Sequence, residues 1–358
     1  MTVRRMRTPT GDQAWQLGGH AEVRQWYTDR RLGLTHPAPE SAARFGEHPL
    51  EGPSPLYSHD DEHAEHQAVR ALLQPFFGGR RLRALREPVR ALVAELLDEL
   101  AGRTPPVDLH ATLSAPLSAR VLCALLGVPY ADRDLLRKLV DRMDEPDAPG
   151  QADLTDYLTE LAQRATGDGE DVLSGLRAAG LSTEDTAGMA TMLLFAGYDS
   201  VAVTVDDGVR LLSRHRDQWE LLRDRPELAP GAVEEVLRLG DSSGFGFPRY
   251  ARQDVQIDGT AVRRGDAVLL DTTLANVDPA AFAEPERFDV TRTPNPHLSF
   301  GHGPWHCIGA PLARLELTEV FTALPARFPQ LRLAVAEDEL AMVGGTFTAR
   351  VRELPVTW

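Results

Sequence analysis

Cysteine is nearly absent, with Cys123 and Cys307 the only two in 358 residues. Two thiols cannot build a disulfide framework, nor can they supply a four-cysteine zinc or iron–sulfur site. Bases are short as well. The chain has 38 Lys and Arg against 53 Asp and Glu, and a net charge of −15 argues against a general nucleic-acid binder. No basic leader with an apolar core opens the chain, and no apolar run reads as long enough to span a bilayer. A soluble, cytoplasmic protein is expected, a monomer with neither membrane nor nucleic acid among its partners. Internal repeats, a long low-complexity linker and a second core are missing too, so residues 1–358 are expected to form one domain with a substantial core.

What is present is mostly helical periodicity. Met1–Arg7 and Ala14–Leu17 read as strands around the turn Pro9-Thr10-Gly11-Asp12, and Ala21–Thr28 reads as a helix. Residues 37–58, rich in Pro, Gly and Ser, read as a loop. Helices are then expected at 62–76, 80–102, 111–127, 131–144, 152–165, 170–179, 182–214, 216–223 and 230–239. Residues 246–273 turn β-rich, and 331–357 read as short strands. Cys123 lies in the apolar run 121–126, the setting of an inert core thiol. The fold class is mainly α with small β-sheets.

Cys307 is different. It ends Phe300-Gly301-His302-Gly303-Pro304-Trp305-His306 and precedes Ile308-Gly309 and a helical run whose apolar face is Ala313, Leu317, Val320, Phe321 and Leu324. A cysteine feeding a helix N-terminus meets free N–H groups and the positive dipole end, which favour a thiolate. The glycines let the backbone turn sharply against something flat, and such a thiolate suits axial ligation of haem iron. A buried structural cysteine is the plainer alternative. The spacing Phe-Gly-x-Gly-x-x-x-Cys-x-Gly, followed by Ala310, Arg314 and Glu316, resembles the haem-binding signature of the cytochrome P450 family. The resemblance implies an all-α P450-like fold with a long central helix, haem b as cofactor and Cys307 as axial ligand, with Phe300 and Gly309 against the haem.

Ser182–Arg214 is the candidate for that central helix, opened by a capping box of Ser182 and Asp185. About 32 residues at 1.5 Å rise span roughly 48 Å, and apolar character on all faces predicts burial. Its centre, Ala196-Gly197-Tyr198-Asp199-Ser200, holds a carboxylate that needs a partner, water or a function. A kink with Ser200 bonded back to a carbonyl would explain it structurally. The stretch also resembles the family's acid–alcohol pair, which implies that Asp199 and Ser200 relay protons and that small Ala196 and Gly197 leave room for oxygen and substrate. Ser200 stands where the family usually has threonine.

Three further features carry the resemblance. Glu235-Val236-Leu237-Arg238, delimited by Pro230 and Gly240, resembles the family's Glu-x-x-Arg pair, which implies a structural role. His66 and Arg70 sit one turn apart, as in the family's His-x-x-x-Arg helix. His63 offers another register, but four residues on it finds Gln67. Arg249 and His297 match the other expected ligands of the haem propionates. Arg80, Arg81 and Arg83 form a basic run, by default a solvated helix face. In this family that region implies docking of an acidic ferredoxin, itself served by a ferredoxin reductase.

The likeness runs over essentially the whole chain and includes Asn276-Val277-Asp278-Pro279 and Pro285-Glu286-Arg287-Phe288, with Val277 where the family often has arginine. The family's N-terminal helix is expected to be missing, because the chain opens at the first strand pair. The segment from Gly127 to Asp171, which roofs the pocket in the family, is short and predicts an open distal side suited to a bulky or carrier-tethered substrate, small molecule or peptide. By position, the pocket walls are expected from Leu193, Leu194, Ala196, Gly197, Gly244, Phe245, Thr346 and Phe347. The implied activity is that of a monooxygenase or oxidase on a natural-product scaffold, hydroxylating, epoxidising or coupling. Two other classes stay open: a catalytically silent recruitment platform for a biosynthetic assembly line, and a haem-based sensor. The intact Cys307 and Ser200 speak against the first, and the lack of an output domain speaks against the second.

Overall fold

The structure, a computed structural model, describes residues 3–46, 51–54, 56–132, 135–136, 138–139, 150–167, 169–240, 247–344 and 349–358. In chain order its helices are α1 (His20–Thr28), α2 (Glu62–Leu73), α3 (Gly79–Ala101), α4 (Ala115–Leu126), α5 (Gly150–Arg164) and α6 (Val172–Ala178). They continue as α7 (Thr183–Arg214), α8 (Arg216–Asp224), α9 (Ala229–Leu239), α10 (Thr272–Ala275) and α11 (Ala310–Arg327). The strands are β1 (Val3–Arg7), β2 (Gln13–Leu17), β3 (Leu32–Gly33), β4 (Val107–Asp108), β5 (Arg249–Ala251) and β6 (Val255–Ile257). After them come β7 (Thr260–Val262), β8 (Ala267–Leu270), β9 (Arg332–Leu333), β10 (Met342–Gly344), β11 (Ala349–Val351) and β12 (Pro355–Thr357).

The turn after Arg7 folds β1 back on β2, with Arg5 opposite Trp15. Gly11 takes φ +94° in that turn, a conformation a side chain resists. The larger sheet runs β1-β2-β8-β5-β3, and only its β2–β8 pair is parallel. A second sheet, β4-β12-β9, ties the C-terminus to the segment before α4, and β6–β7 and β10–β11 are separate two-stranded antiparallel sheets. The helix expected over 62–76 ends earlier, at Leu73, and Pro75 continues as a 3-10 turn. A π-turn at His110–Ser114 leads into α4. The helix expected over 131–144 falls largely outside the described residues.

α7 is the axis of the helical layer, flanked by α4, α5, α9 and α11. Its N-cap is Ser182, whose Oγ accepts from Asp185 N at 3.0 Å and donates to Asp185 Oδ2 at 2.8 Å, so the two residues of the expected capping box pair at the helix start. Against the sequence expectation, this helix is long and apolar enough to cross a membrane by length and composition. Here it is packed among the other helices instead. Val205, Val209 and Leu212 meet Leu96 and Leu100 of α3, Leu117 and Leu125 of α4, Val233 and Val236 of α9, and Phe321 and Leu324 of α11 in one core cluster. Each such buried side chain contributes about 1.5–3 kcal/mol. Gly208 allows the closest approach: a Cβ there would stand 2.1 Å from Phe321 Cζ. Buried Asp206 ties α7 to the π-turn, accepting from Ser114 Oγ at 2.6 Å and meeting His110 Nδ1 at 2.6 Å. A smaller cluster, including Leu17, Val23, Trp26, Leu32, Val268 and Leu270, seats α1 on the larger sheet.

Candidate functional site

Between α10 and α11 the chain forms no regular element beyond a 3-10 turn at Gly303–Trp305. It doubles back on itself through Gly301 N to Leu298 O (2.7 Å), His306 N to Gly303 O (3.1 Å) and Cys307 N to Phe300 O (2.8 Å). Gly301 and Gly303 both take positive φ, and a Cβ at Gly303 would meet Thr28 Cγ2 of α1 at 2.6 Å. The loop is thus pressed against α1 and delivers Cys307 to the foot of α11, with Gly309 as N-cap. A Cβ on Gly309 would stand 3.8 Å from the Cys307 sulfur.

The expected thiolate is not favoured by the helix end alone. The Cys307 side chain is accessible on one side, yet the surrounding loop pushes its thiol up by burial. The N–H groups of Gly309 and Ala310 and the cations Arg70 and Arg314 pull the other way, and less strongly. Phe300 is half-buried with the Arg314 guanidinium 4.7 Å above its ring. Among the described residues no three His, Cys, Asp or Glu side chains converge on a common metal position. Cys307 could therefore serve only as a single ligand to a metal held otherwise, as in a macrocycle.

A second group of residues gathers around Arg249. This arginine opens β5 and is 4% exposed, and its Nη1 is buried without a hydrogen-bond partner. Burial lowers its pKa. Its Cζ lies 5.0 Å from the Trp305 ring centroid and 5.6 Å from that of Tyr27. On Trp305 also rests the His66 ring, with centroids 4.0 Å apart and planes 35° apart. Burial, then the nearby charges of Arg70 and Arg249, push His66 down to about 4, so in this structure it is a neutral N–H donor at pH 7. Arg70 is fixed to the cysteine loop by donating from Nη1 to His306 O at 2.7 Å. α2, which carries both, is pinned by fully buried Glu62, which accepts from Leu34 N (2.9 Å), Thr35 N (3.0 Å) and Arg252 Nη1 (3.2 Å).

His297 is placed otherwise than expected. Both ring nitrogens are engaged, Nδ1 with Ser299 Oγ at 3.1 Å and Nε2 with Glu234 Oε2 at 2.9 Å. Glu234 also takes both arms of Arg314, at 2.7 and 2.9 Å. Burial would raise Glu234, but the bonds from Arg314 and His297 outweigh it and hold the carboxyl at about 2. His297 thus serves this network, and Trp305 takes the place beside Arg249 and His66. His297 and Arg314 also line a cavity of about 230 Å3 between α1 and the cysteine loop, together with Arg24, His302 and His306.

At the centre of α7 the expected burial on all faces fails. Ala196 and Ser200, one turn apart, are exposed, and Asp199 is half-buried. Ser200 Oγ donates to Ala196 O at 2.8 Å, the back-bond of a helical hydroxyl. Gly197 does not open space for a substrate: a Cβ there would stand 3.0 Å from Leu122 Cδ2, so this glycine faces α4. Ser118 of α4 secures the contact by donating to Gly197 O (3.1 Å) and Tyr198 O (2.8 Å). Leu193 and Leu194, expected as pocket walls, are 6% and 0% exposed and belong to the core cluster, because apolar side chains on that face pack against neighbouring helices. Gly244, Phe245, Thr346 and Phe347 lie outside the described residues.

Glu235 and Arg238 form a fully buried bidentate pair at 2.7 and 2.8 Å. Arg238 also donates to the carbonyls of Asn276, Pro285 and Arg287, and Glu235 accepts from Asp289 N, Arg292 and Asn295. The pair is the knot that gathers the irregular segment before the cysteine loop. The basic run on α3 is less open than its sequence suggests. Arg80 and Arg81 lie 3.3 and 3.9 Å from Glu170, and Arg81 turns inward to donate to Ala124 O. Arg83 is exposed. Glu234, Tyr27 and Glu62 carry no mark as site residues in the sequence, and Arg314 and Trp305 appear there only as parts of the cysteine stretch, since the partners of all five are remote in the chain.

Known proteins resemble the chain over its whole length. The family model described as Cytochrome P450 matches residues 213–332. Pentalenolactone synthase of Streptomyces exfoliatus is 42% identical, over 99% of this chain and 92% of that protein. Mycinamicin IV hydroxylase/epoxidase of Micromonospora griseorubida is 36% identical over the same shares. Among solved structures, substrate-free cytochrome P450 PimD, a polyene macrolide antibiotic pimaricin epoxidase, superposes with TM-score 0.91 at 40% identity, covering 100% of this chain and 93% of that one.

Proposed function

Because the chain belongs to the cytochrome P450 family, an oxidoreductase family with haem-thiolate chemistry, we propose that it is a haem b-dependent monooxygenase that tailors a natural product. In this reading residues 1–358 act as one haem-thiolate domain, a monomer in the cytoplasm. Cys307 is the single protein ligand to iron, with Phe300 and Gly309 beside it. Arg249, His66 and Arg70 hold the carboxylate edge of the haem, and Glu235–Arg238 keeps the preceding segment in place. Arg249 carries the reading: a buried guanidinium with an unpaired Nη1 fits an anion that the described residues do not provide.

When bound, haem supplies the oxidising chemistry, in which dioxygen is reduced by two external electrons, one oxygen atom entering substrate and the other leaving as water. The chain's part is placement and proton handling. Ser200 Oγ holds its proton on the Ala196 carbonyl, so it can pass that proton on only by releasing this back-bond. Asp199, the next residue towards the N-terminus, is the carboxyl suited to resupply it. Ala196 and Ser200 form the open face of α7, where a substrate would lie.

The relatives named above act on or make mycinamicin, pimaricin and pentalenolactone, which supports a secondary-metabolite scaffold here, hydroxylated, epoxidised or oxidatively coupled, free or carrier-bound. Electrons come from a ferredoxin and its reductase. Exposed Arg80 and Arg83, with Arg24 at the mouth of the cationic cavity, are the docking cations that suit an acidic donor. The test is the absorption spectrum of the reduced protein under carbon monoxide. A strongly red-shifted Soret band, lost in Cys307→Ala, is expected. A band at the position of histidine-ligated haem, or no haem, overturns the proposal.

A further inference from the structure

Arg249 poses a physical question that a role as anion ligand does not answer. A buried guanidinium needs a counter-charge or a dense set of acceptors, and among the described residues no acceptor bonds it. Glu62, whose charge it feels, already serves Leu34, Thr35 and Arg252. What it lies over instead are two aromatic rings, with its Cζ 5.0 Å from the Trp305 centroid and 5.6 Å from that of Tyr27. Ring quadrupoles attract a cation most strongly where water is excluded. Trp305 also supports His66 from its own loop, so one ring sets the spacing of both donors.

We infer that Tyr27 and Trp305 are positioning residues: their ring faces stand in for a counter-ion, holding Arg249 charged, buried and aimed before the cofactor's carboxylates arrive. The inference rests on the haem-binding reading above. Both rings are fixed from outside the pair. Tyr27 sits on α1 against the backbone of Gly301, where a Cβ would come within 3.5 Å of its ring. Trp305 is flanked by Tyr57 and His63 besides His66. This arrangement offers an unpaired Nη1 and no bonded acid among the described residues, so an incoming carboxylate displaces no salt bridge. It also makes recognition depend on the charge of the haem edge, not only on the apolar fit of the ring.

The test uses the full chain, purified with haem and also refilled with haem dimethyl ester, which keeps the macrocycle and loses the carboxylate charges. Release to excess apomyoglobin is timed for both. Trp305→Leu and Tyr27→Leu are expected to speed release of haem by about tenfold each, the scale of one desolvated cation–π contact. The dimethyl ester should leave all variants at about the wild-type rate. Trp305→Phe and Tyr27→Phe, which keep a ring face and fold with similar volume, should stay within about threefold for haem. Equal acceleration of haem and ester would show that the rings only pack and would overturn the inference, as would unchanged release of both. Loss of haem retention in Trp305→Phe as severe as in Trp305→Leu also counts against it. If the wild-type chain takes up no haem at all, the proposed function fails first, and the two failures are thereby distinct.

Discussion

Replacing Arg238 with methionine tests whether the buried pair is what holds the segment before the cysteine loop. Methionine keeps much of the volume and removes every donor. Glu235 would retain Arg292, Asn295 and Asp289 N, each at 3.0 Å, but would lose its two shortest bonds. The carbonyls of Asn276, Pro285 and Arg287 would lose the guanidinium as donor. Removing one partner of a buried ion pair costs about 3–5 kcal/mol. Unmet acceptors cost about 1–3 kcal/mol each, a cost that overlaps the first, so a loss of about 4–6 kcal/mol is expected. Against a total stability of about 5–15 kcal/mol, this is a large share of the margin. At roughly 2 °C per kcal/mol for a chain of this size, the midpoint of thermal unfolding should fall by about 8–12 °C. Urea unfolding followed by circular dichroism gives the same quantity isothermally, and Arg238→Met/Glu235→Leu should cost about 2 kcal/mol less than the sum of its parts. A single-variant loss below about 1 kcal/mol, or strict additivity, would refute the reasoning.

Other consequences are equally open to measurement. Gly208→Ala should destabilise by about 1–3 kcal/mol in spite of better helix propensity, because the buried Phe321 ring must move. Adding Phe321→Leu should recover part of that loss in urea unfolding. Glu234 titrates at about 2 in the folded chain against an ordinary 4.5, so its contribution is in place above pH 4.5 and fades as pH falls toward 2. Discounted for partial exposure, that contribution is about 1–2 kcal/mol. Urea midpoints measured across this range should fall less steeply with acid in Glu234→Gln than in the wild type. Ser118→Ala should cost about 1 kcal/mol and loosen α4 from α7, read by faster amide exchange around Val201 and Ala202. Arg80→Glu/Arg83→Glu should slow reduction by ferredoxin most at low salt, and stopped-flow rates independent of ionic strength would exclude docking there.

The order of elements was legible because each repeats a local pattern: α7 through its cap and apolar run, α9 through Pro230 and Gly240, the first strand pair through its turn. Cys307, Arg249 and the Glu235–Arg238 pair could be named as candidates only because they fall on positions of the family's motifs, and each by itself reads as an ordinary residue. What spacing could not give is direction. Gly197 reads as empty space in a row of letters, yet its open side is filled by Leu122 of another helix. His297 reads as a cation near the loop, yet Glu234, far off in sequence, captures it. Arg81 sits in a basic run and turns inward to a carbonyl of α4. In each case a side chain's partner comes from a remote element, and periodicity carries no information about that. Trp305 shows the reverse: it fills an unspecified position of the cysteine stretch, and only the meeting of α1, α2, β5 and the loop gives it a task.

The cradle around Arg249 draws Tyr27, His66, Arg249 and Trp305 from almost the full length of the chain, and Cys307 comes still later. During synthesis, at about 5–20 residues per second, α1 and α2 leave the ribosome many seconds before the loop that completes the site. Contacts so distant in sequence close late, since loop-closure entropy must be met first. The cofactor therefore cannot act as an early folding template. Its site is completed together with the packing of α11 on α3 and α7, and its retention becomes a report on whether the last fifth of the chain has been made and docked.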